Sequence, residues 1–385
     1  MKNKYLFFAI FLDSFFSFKS QGTLLKEVHL ETIRDCSDKD LREAEALNIQ
    51  SLNKWKILPF IFRKMENLRR LNLYKIDCAG DECDESCISR FGNCASTKIT
   101  ELMLDSADCF EIEKVNSFFK PFVTEGKLKK IMLSGFRAKY GCLLVGAEKK
   151  RFETGIEVLR RVGEINSLES LEFKFCSSVR EEFEYHKLGF LNEIVEACVN
   201  LSGLKSLSFS RFSLDSMGKD KSLLVAKAIG SARGLKSLRI SDDSLGCNFC
   251  VFEHLCSALG NCQELETLNF SYNGIFHSPV RNSKVLNVAL KKLKNLRLLD
   301  LRRNFSSSFE GSEALGFALE GLPNLEVIII FESEASDAVR AGLDSAGFYH
   351  GKTVDGDICR KEQIWFNKNY TDLSWAGDMS VDVFN

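Results

Sequence analysis

The sequence is poor in proline and has almost no net charge. Only 4 of its 385 residues are proline, and 52 basic residues are balanced by 53 acidic ones, which leaves a formal charge of −1. A chain without a Pro- or Ser-rich segment is not expected to contain a long disordered linker. A chain without a basic excess also lacks the electrostatic attraction that binds nucleic acids and anionic membranes. We therefore expect no nucleic-acid partner.

The local motifs of catalysis are missing as well. The 5 histidines are scattered along the chain, and no nucleophile elbow, phosphate-binding loop or H-E-x-x-H zinc motif occurs. Catalytic residues that are distant in sequence can meet in a fold, but no pattern here indicates them. The sequence thus predicts a protein that is not an enzyme, with no catalytic, cofactor-binding or metal-binding residue and no cofactor.

No apolar run reaches the roughly 18 residues that a membrane-spanning helix needs. The strongest apolar run is Tyr5–Leu12, which follows Lys2 and Lys4 and precedes the small residues Ser20 and Gly22. A basic start, a short apolar run and small residues are typical of a secretory signal peptide. We expect residues 1–22 to be such a peptide and the mature chain to be secreted, without a membrane span. The alternative is a cytoplasmic protein whose N-terminal run is a buried cap helix.

What the sequence does contain is a repeated pattern, L-x-x-L-x-L, in which other apolar residues sometimes replace leucine. Successive copies start 29 to 40 residues apart, which is the period of a solenoid, a chain of stacked structural repeats. Two weaker copies, starting at Leu25 and Ala44, precede the clear ones. The nine clear copies start at Leu68, Ile99, Leu128, Leu168, Leu204, Leu235, Leu265, Leu296 and Leu325.

The repeat that starts at Leu265 shows how one unit is expected to fold. Leu265 to Phe270 alternates apolar and polar residues, the period of a β-strand. Asn273 then lies at the turn, where an amide can both donate to and accept from buried backbone groups. Apolar residues at helical spacing between Val285 and Leu293 predict a helix that returns the chain across the outer side. The turn position is filled in other repeats by Cys176, Asp243 and Asn304.

These features resemble leucine-rich repeat proteins, and the repeat length resembles the ribonuclease-inhibitor-like subclass. The resemblance covers roughly residues 60 to 335. It implies an α/β fold, a horseshoe-shaped solenoid with parallel β-strands on the concave face and helices on the convex face. It also implies that a protein partner binds on the concave face.

The chain accordingly divides into four expected segments. Residues 1–22 are the expected signal peptide, 23–60 an N-terminal cap with atypical repeats, 61–335 the leucine-rich repeats, and 336–385 a C-terminal cap or tail. The tail begins with helical spacing and is then expected to be irregular. The last strand of the repeats, around Ile330, is apolar on both faces. It is therefore either covered by the tail or an apolar anchor for a ligand, because exposed apolar patches are rare.

The concave face should be lined by the strand residues that alternate with buried ones. Aromatic, methionine and arginine side chains are enriched at protein interfaces, which guides the choice among these residues. The residues that we predict to contact a protein partner are Tyr74, Met103, Met132, Lys174, Arg239, Asn269 and Arg302.

The 14 cysteines include two local clusters. An oxidising compartment would favour disulfides within them and a reducing one free thiols, and a metal site is a weaker alternative for the first cluster. We expect one or two disulfides in the first cluster, and a local disulfide or buried thiols in the second. The first comprises Cys78, Cys83, Cys87 and Cys94, and the second contains Cys247 and Cys250.

Together these features predict a non-enzymatic solenoid, secreted or surface-exposed, that recognises a protein on its concave face. The alternative is a cytosolic leucine-rich repeat regulator, of inhibitor or GTPase-activator type, with the N-terminal apolar run folded as a cap helix. The two hypotheses differ in the fate of residues 1–22, because an exported chain loses its signal peptide.

Overall fold

A computed structural model describes most of the repeats and part of the flanking chain. The expected signal peptide lies outside the described residues. The described residues are 27–29, 36–49, 58–74, 85–105, 112–134, 147–174, 184–212, 214, 219–277, 279–304, 318–319, 322, 324–331, 337–355 and 361–367.

Eleven strands of the described chain lie side by side and parallel, each next to the strand that precedes it in sequence. This order arises when every repeat adds one strand to the stack. The strands are β1 Glu27–His29, β2 Ala46–Ile49, β3 Arg70–Tyr74, β4 Glu101–Asp105, β5 Lys130–Ser134, β6 Ser170–Lys174, β7 Ser206–Ser210, β8 Ser237–Ser241, β9 Thr267–Asn269, β10 Leu298–Asp300 and β11 Val327–Phe331.

Helices return the chain between most of these strands. Ring contacts link consecutive helices, as between Phe62 and Phe91 (centroids 5.2 Å apart) and between Phe91 and Phe118 (5.7 Å). No described helix is long and apolar enough to cross a membrane. The helices are α1 Asp38–Glu43, α2 Leu58–Lys64, α3 Glu85–Ser96, α4 Ile112–Glu125, α5 Ala147–Gly163, α6 Glu184–Asn200, α7 Lys219–Ser231, α8 Phe249–Leu259, α9 Pro279–Leu290 and α10 Asp337–Ser345, with 3-10 turns at Leu245–Cys247 and Ile275–His277.

Neighbouring strands are in register, so equivalent leucines form one continuous buried row. Leu207 pairs with Leu238 across β7 and β8, and Leu238 pairs with Leu268 across β8 and β9. Leu171 and Leu299 extend this row, and all five side chains are fully buried. Because side chains alternate along a strand, the residues between the buried ones face away from the core. The predicted register and the predicted α/β solenoid are confirmed.

Amide side chains occupy the predicted turn after the strand. Asn273 Nδ2 donates to the carbonyls of Ile240 (2.7 Å) and Phe270 (2.9 Å), and Asn273 Oδ1 accepts from the backbone N–H of Asp243 at 3.1 Å. Asn304 repeats this pattern one repeat later, donating to the Phe270 carbonyl at 2.8 Å and accepting from the Asn273 N–H at 3.3 Å. Each turn amide is therefore bonded to the preceding repeat as well as to its own.

The sheet extends on the N-terminal side of the nine clear repeats. Val28 of β1 pairs with Leu47 of β2, and Leu47 pairs with Leu71 of β3. Helix α1 begins with a capping box, in which Ser37 Oγ accepts from the Asp40 N–H (3.2 Å) and the Asp40 carboxylate accepts from the Ser37 N–H (3.1 Å). The two weaker copies of the leucine pattern thus form strands of the same sheet.

The tail is not irregular, contrary to the expectation from the sequence. It forms an antiparallel hairpin of β12 (Phe348–Asp355) and β13 (Lys361–Asn367), and β13 pairs antiparallel with β11. Trp365 lies opposite Ile328 in this pairing, and its side chain belongs to the hydrophobic core. A strand of the tail therefore lies against the last parallel strand. The leucine pattern does not reveal the hairpin because the hairpin strands contain no copy of it.

Candidate protein-binding face

The concave side of the sheet presents the strand residues that alternate with the buried core. Parallel neighbours in register lie about 4.8 Å apart, so these residues form continuous rows from one repeat to the next. We call this surface, from β3 to the residues just after β10, the inner face. It comprises Arg70, Asn72, Tyr74, Glu101, Met103, Asp105, Lys130, Met132, Ser134, Ser170, Glu172, Lys174, Ser206, Ser208, Ser210, Ser237, Arg239, Ser241, Thr267, Asn269, Ser271, Leu298, Asp300 and Arg302.

The seven residues predicted to contact a partner all belong to the inner face, but they differ in exposure. Tyr74, Lys174 and Arg239 are half-buried. Neighbouring rows lie so close that long side chains cover one another, which the sequence pattern does not show. The remaining four are almost wholly covered, with an exposed fraction of 6% for Met103, Met132 and Arg302 and of 1% for Asn269.

Register brings some of these residues together. Met103 of β4 pairs with Met132 of β5, and Arg239 of β8 pairs with Asn269 of β9. Lys174 lies elsewhere on the face, on β6, whose neighbours in register at this level are serines of β5 and β7. A contact role for these residues stays a prediction, with the half-buried ones the more accessible to a partner.

A buried ion pair closes the inner face at its β10 end. Arg302 Nη2 lies 2.7 Å from Asp300 Oδ2, and Arg302 Nε lies 3.0 Å from Asp300 Oδ1. Asn269 Nδ2 donates to the same carboxylate at 2.9 Å. Asp300 is fully buried, and a buried carboxylate is costly unless donors surround it. Asn269 and Arg302 therefore hold Asp300 in place, whatever they contribute to binding.

A second ion pair lies at the β3 end. Arg70 Nη2 lies 2.8 Å from Glu101 Oε2, and its Nε donates to the same oxygen at 2.9 Å. In the adjacent row, Asn72 Nδ2 donates to Asn48 Oδ1 at 2.7 Å. The Arg70 side chain is 9% exposed and that of Glu101 37%. This end therefore presents the acidic member of its ion pair to solvent.

The centre of the inner face, on β5 to β8, is positive. Its charged residues are Lys130, Lys174 and Arg239, which are basic, and Glu172, which is acidic, so its net charge is 3 − 1 = +2. Burial is the main cause that lowers the pKa of Lys130. Burial is also the main cause that lowers the pKa of Lys174; the nearby Glu172 raises this pKa, whereas Arg211 and Arg239 lower it. Cations crowded into a partly buried place are stabilised by an anion, so this centre favours an acidic group.

A further row of side chains lies where the strands end, and it was not among the residues predicted from the sequence. Arg211, Asp242, Tyr272 and Arg303 occupy the same position in four successive repeats, one residue before the turn position. All four have positive φ, between 59° and 62°, in a region that costs a residue other than glycine roughly 1–2 kcal/mol. We call these residues the strand-exit row.

Side chains within the strand-exit row contact one another in pairs. Arg211 Nε lies 2.6 Å from Asp242 Oδ2, and the Arg303 guanidinium lies 5.5 Å from the centre of the Tyr272 ring. Tyr272 is 42% exposed. Left-handed residues other than glycine concentrate at functional sites, which makes this row part of the candidate face. Its only signal in the sequence is the fixed offset from the turn.

The second cysteine cluster was expected to hold a local disulfide or buried thiols. No disulfide is formed there: Cys247 and Cys250 are exposed free thiols, whereas Cys256 and Cys262, which follow them, are buried free thiols. Asn248, between the two exposed thiols, caps α8 with an extended backbone (φ −122°, ψ 93°), which leaves Cys247 before the cap and Cys250 in the first turn of the helix. Cys94 is also a free thiol, packed against the core. Cys78, Cys83 and the side chain of Cys87 lie outside the described residues. Within the described ranges no group of three metal-ligating side chains occurs.

Comparisons with known proteins bear on the fold. No family model and no curated protein matches the sequence. The leucine-rich repeat-containing protein LegL7 from Legionella pneumophila is similar in structure, with a TM-score of 0.51 and 18% identity over 83% of this chain and 97% of that one. The fold is that of a leucine-rich repeat protein.

Two further solved structures are less similar to this chain. A chain from the yeast Rad7 and Elc1 complex has a TM-score of 0.37 and 14% identity over 78% of this chain and 76% of that one. The C-terminal domain of tropomodulin from Caenorhabditis elegans has a TM-score of 0.29 and 12% identity over 46% of this chain and 93% of that one.

Proposed function

We propose that this protein is a non-enzymatic scaffold that binds another protein on its inner face. The observation that carries the proposal is the continuity of that face, which is in register across the eight strands from β3 to β10. Eight strands about 4.8 Å apart span roughly 34 Å, enough for a standard interface of about 800 Å² per partner. Arginine and tyrosine dominate binding energies at many interfaces, and the strand-exit row offers both.

Photo-crosslinking tests where a partner binds. A benzophenone amino acid replaces either Ser237 on the inner face or Lys227, which is exposed on α7. Each purified variant is irradiated in an extract or medium of the source cells, and adducts are identified by mass spectrometry. We expect a specific adduct from position 237 and none from position 227. An adduct from position 227 alone, or the same adduct from both, would contradict inner-face binding.

A charge reversal tests the same surface without a crosslinker. Arg239→Glu is expected to abolish capture of the partner found by crosslinking, and Lys227→Glu, which makes the same change of charge on α7, is expected to leave it intact. Circular dichroism shows that both variants are folded. Capture that is unchanged by Arg239→Glu would contradict the proposal.

We also propose that the protein is secreted, on the strength of the basic and apolar pattern at its N-terminus. A cytosolic regulator is the second candidate, and one observation favours it: Cys247 and Cys250 are exposed free thiols, as is usual in a reducing compartment. N-terminal sequencing of protein from its native source distinguishes the two. A mature start near Gln21 supports export, whereas retention of the first 20 residues supports the cytosolic candidate.

A further inference from the structure

Strand β7 differs from its neighbours because every inner-face residue on it is a serine. In register, Ser208 lies between Glu172 on β6 and Arg239 on β8, and Ser210 lies beside Lys174. We call this row of short side chains, which lies between longer side chains on β6 and β8, the notch. The serines of the notch are Ser206, Ser208 and Ser210.

The hydroxyl of Ser208, in the middle strand position of the notch, has no hydrogen-bond partner among the described residues. Its Oγ is buried and contacts no donor or acceptor among the described residues, and the residue as a whole is 8% exposed. A buried hydroxyl without a partner is unfavourable, and native structures satisfy nearly all such groups. A ligand oxygen that displaces the side chains covering this Oγ would accept the hydrogen bond that Ser208 lacks.

Hydrogen bonds connect Arg239 to the notch through Ser241. Arg239 Nε donates to Ser241 Oγ at 3.1 Å, and Ser241 Oγ donates to Ser210 Oγ at 3.3 Å. Ser210 is in register with Lys174 on its other side. The Arg239 guanidinium is therefore inclined toward the level of the strands at which Lys174 lies, and the two cations flank the serine row.

The charge around the notch suits a ligand with one negative charge. On β6 to β8, Lys174 and Arg239 contribute two positive charges and Glu172 offsets one, which leaves 2 − 1 = +1, and the nearby Arg211 is paired with Asp242. A carboxylate carries a single negative charge, whereas a phosphoryl group carries about −1.5 to −2 at pH 7. The balance thus favours a carboxylate over a phosphoryl group.

We propose that Lys174, Ser208, Ser210 and Arg239 bind a carboxylate side chain from an acidic segment of the protein partner. The proposal rests on the proposed function, since it states the chemistry of the ligand that the inner face receives. Hydrogen bonds from Lys174 and Arg239 to a carboxylate are charge-assisted and hence stronger than neutral ones. The net charge of +2 on β5 to β8 attracts an acidic segment to the same place.

Peptide binding to the full chain tests this subsite. A fluorescein-labelled octaglutamate peptide is titrated at about 20 mM NaCl, where charges are weakly screened, with octalysine as the peptide of opposite charge. The subsite variants are Lys174→Ala, Ser208→Ala and Arg239→Ala. Lys227→Ala is the matched control, because it removes one positive charge from the exposed side of α7. Circular dichroism and thermal midpoints show which variants are folded.

We expect octaglutamate to bind and octalysine not to bind. Lys174→Ala and Arg239→Ala should each weaken octaglutamate binding about tenfold and Ser208→Ala about threefold. Lys227→Ala should leave it within about twofold, because its charge is distant from the notch. Ser208→Ala should not lower the thermal midpoint, since it removes a buried hydroxyl without a partner. A loss of binding together with undiminished stability separates a ligand-binding role from a structural one.

Several results would overturn the subsite. One is a failure of octaglutamate to bind. Another is a loss of octaglutamate binding in Lys227→Ala as large as that in the subsite variants. A third is displacement of the peptide by inorganic phosphate at a lower concentration than by acetate. If Arg239→Ala does not fold, Arg239→Lys and Lys174→Gln are measured in its place. Lys174→Gln is expected to weaken octaglutamate binding, and Arg239→Lys is not. If the crosslink from position 237 persists while octaglutamate fails to bind, the acidic ligand is wrong and the proposed function stands. If both fail, the proposed function fails too.

Discussion

At the scale of single residues, Asn273 shows how one buried side chain links two repeats. Its amide bonds to backbone groups of the preceding repeat, and the residue is fully buried. Asn273→Ala would leave these groups without partners and out of reach of water. At roughly 1–3 kcal/mol for each such group, we expect the free energy of unfolding to fall by about 3 kcal/mol. Urea denaturation followed by circular dichroism measures the change.

Asn295→Ala is the matched control for this substitution. Asn295 is exposed, and its Nδ2 donates to the Gln263 carbonyl at 2.9 Å. Water can replace an exposed hydrogen bond, so the expected loss is below about 1 kcal/mol. Equal losses in the two variants would show that burial of the turn amide does not matter.

The carboxylate of Glu169 lies between two lysines at the entrance of the strands. Lys129 Nζ lies 2.7 Å and Lys205 Nζ 2.8 Å from its oxygens, and their hydrogen bonds lower its pKa from 4.5 to about 2. Because the pKa is lower in the folded state, the stabilisation is complete above about pH 4.5 and is lost as the pH falls toward 2. The stability difference between the native protein and Glu169→Gln should shrink over that range.

Two measurements check the behaviour of Glu169. Carbon-detected NMR of its side chain should give a titration midpoint well below 4.5. High salt should reduce the stability difference from Glu169→Gln, because exposed ion pairs are screened. A midpoint at or above the usual Glu value would contradict the pairing with the two lysines.

How much could be predicted at this scale depends on the kind of residue. The core row around Leu238 and the turn amide at Asn273 follow from the repeat period alone. The burial of Met103 and Met132 does not follow from the repeat period, because it depends on how closely neighbouring rows of side chains pack. The strand-exit row was missed because no glycine marks the left-handed backbone at residues such as Tyr272.

At the scale of elements, a close approach of two backbones controls how successive repeats stack. A Cβ atom on Gly246 would overlap the Gly274 carbonyl and would lie 2.7 Å from Ile275 Cα. Gly246→Ala must therefore push two neighbouring 3-10 turns apart, and overpacking of this kind typically costs about 1–3 kcal/mol. We expect a loss near the upper end of that range, measured by urea denaturation.

Gly234→Ala is the control for this close approach. The nearest atom to a Cβ at Gly234 is the Leu204 carbonyl oxygen, at 3.9 Å. That is ordinary van der Waals contact, so we expect the free energy of unfolding to change by less than about 0.5 kcal/mol. A loss from Gly246→Ala no larger than this would mean that the turns are not in contact.

The tail hairpin covers β11 and makes β12 the edge strand of the sheet. Strand β13 pairs with β11, and without it β11 would present an open edge that could pair with another molecule. Deletion of residues 347–385 should therefore cause self-association, visible as earlier elution and larger mass in size-exclusion chromatography with light scattering. Deletion of residues 368–385 alone retains β13 and should not. A monomeric mass after the longer deletion would contradict this role.

The hairpin also marks the limit of prediction for elements. The parallel strands were predictable because each repeats the same leucine spacing. Strand β13 has no such copy, and its apolar residues Ile364, Trp365 and Phe366 are consecutive rather than spaced like the leucines. The position of Trp365 opposite Ile328 depends on long-range pairing with β11, which a local pattern does not encode.

At the scale of the whole molecule, the core and the inner face arise from the same register. Repeats contact their neighbours and little else, so the buried leucine row and the rows of the inner face are continuous only while every strand stays aligned. A one-residue slip between two strands would reverse core and inner face beyond that point. The proposed binding surface therefore depends on in-register parallel pairing at the centre of the stack.

A pair of engineered disulfides measures this register directly. Ser206 and Ser237 are register partners on adjacent strands, and Thr267 lies one strand further. Cα atoms about 4.8 Å apart can be bridged by a disulfide, and atoms at roughly twice that distance cannot. Mild oxidation should crosslink Ser206→Cys with Ser237→Cys, as seen by peptide mass spectrometry, and should not crosslink Ser206→Cys with Thr267→Cys. Absence of the first crosslink, or presence of the second, would contradict the aligned stack.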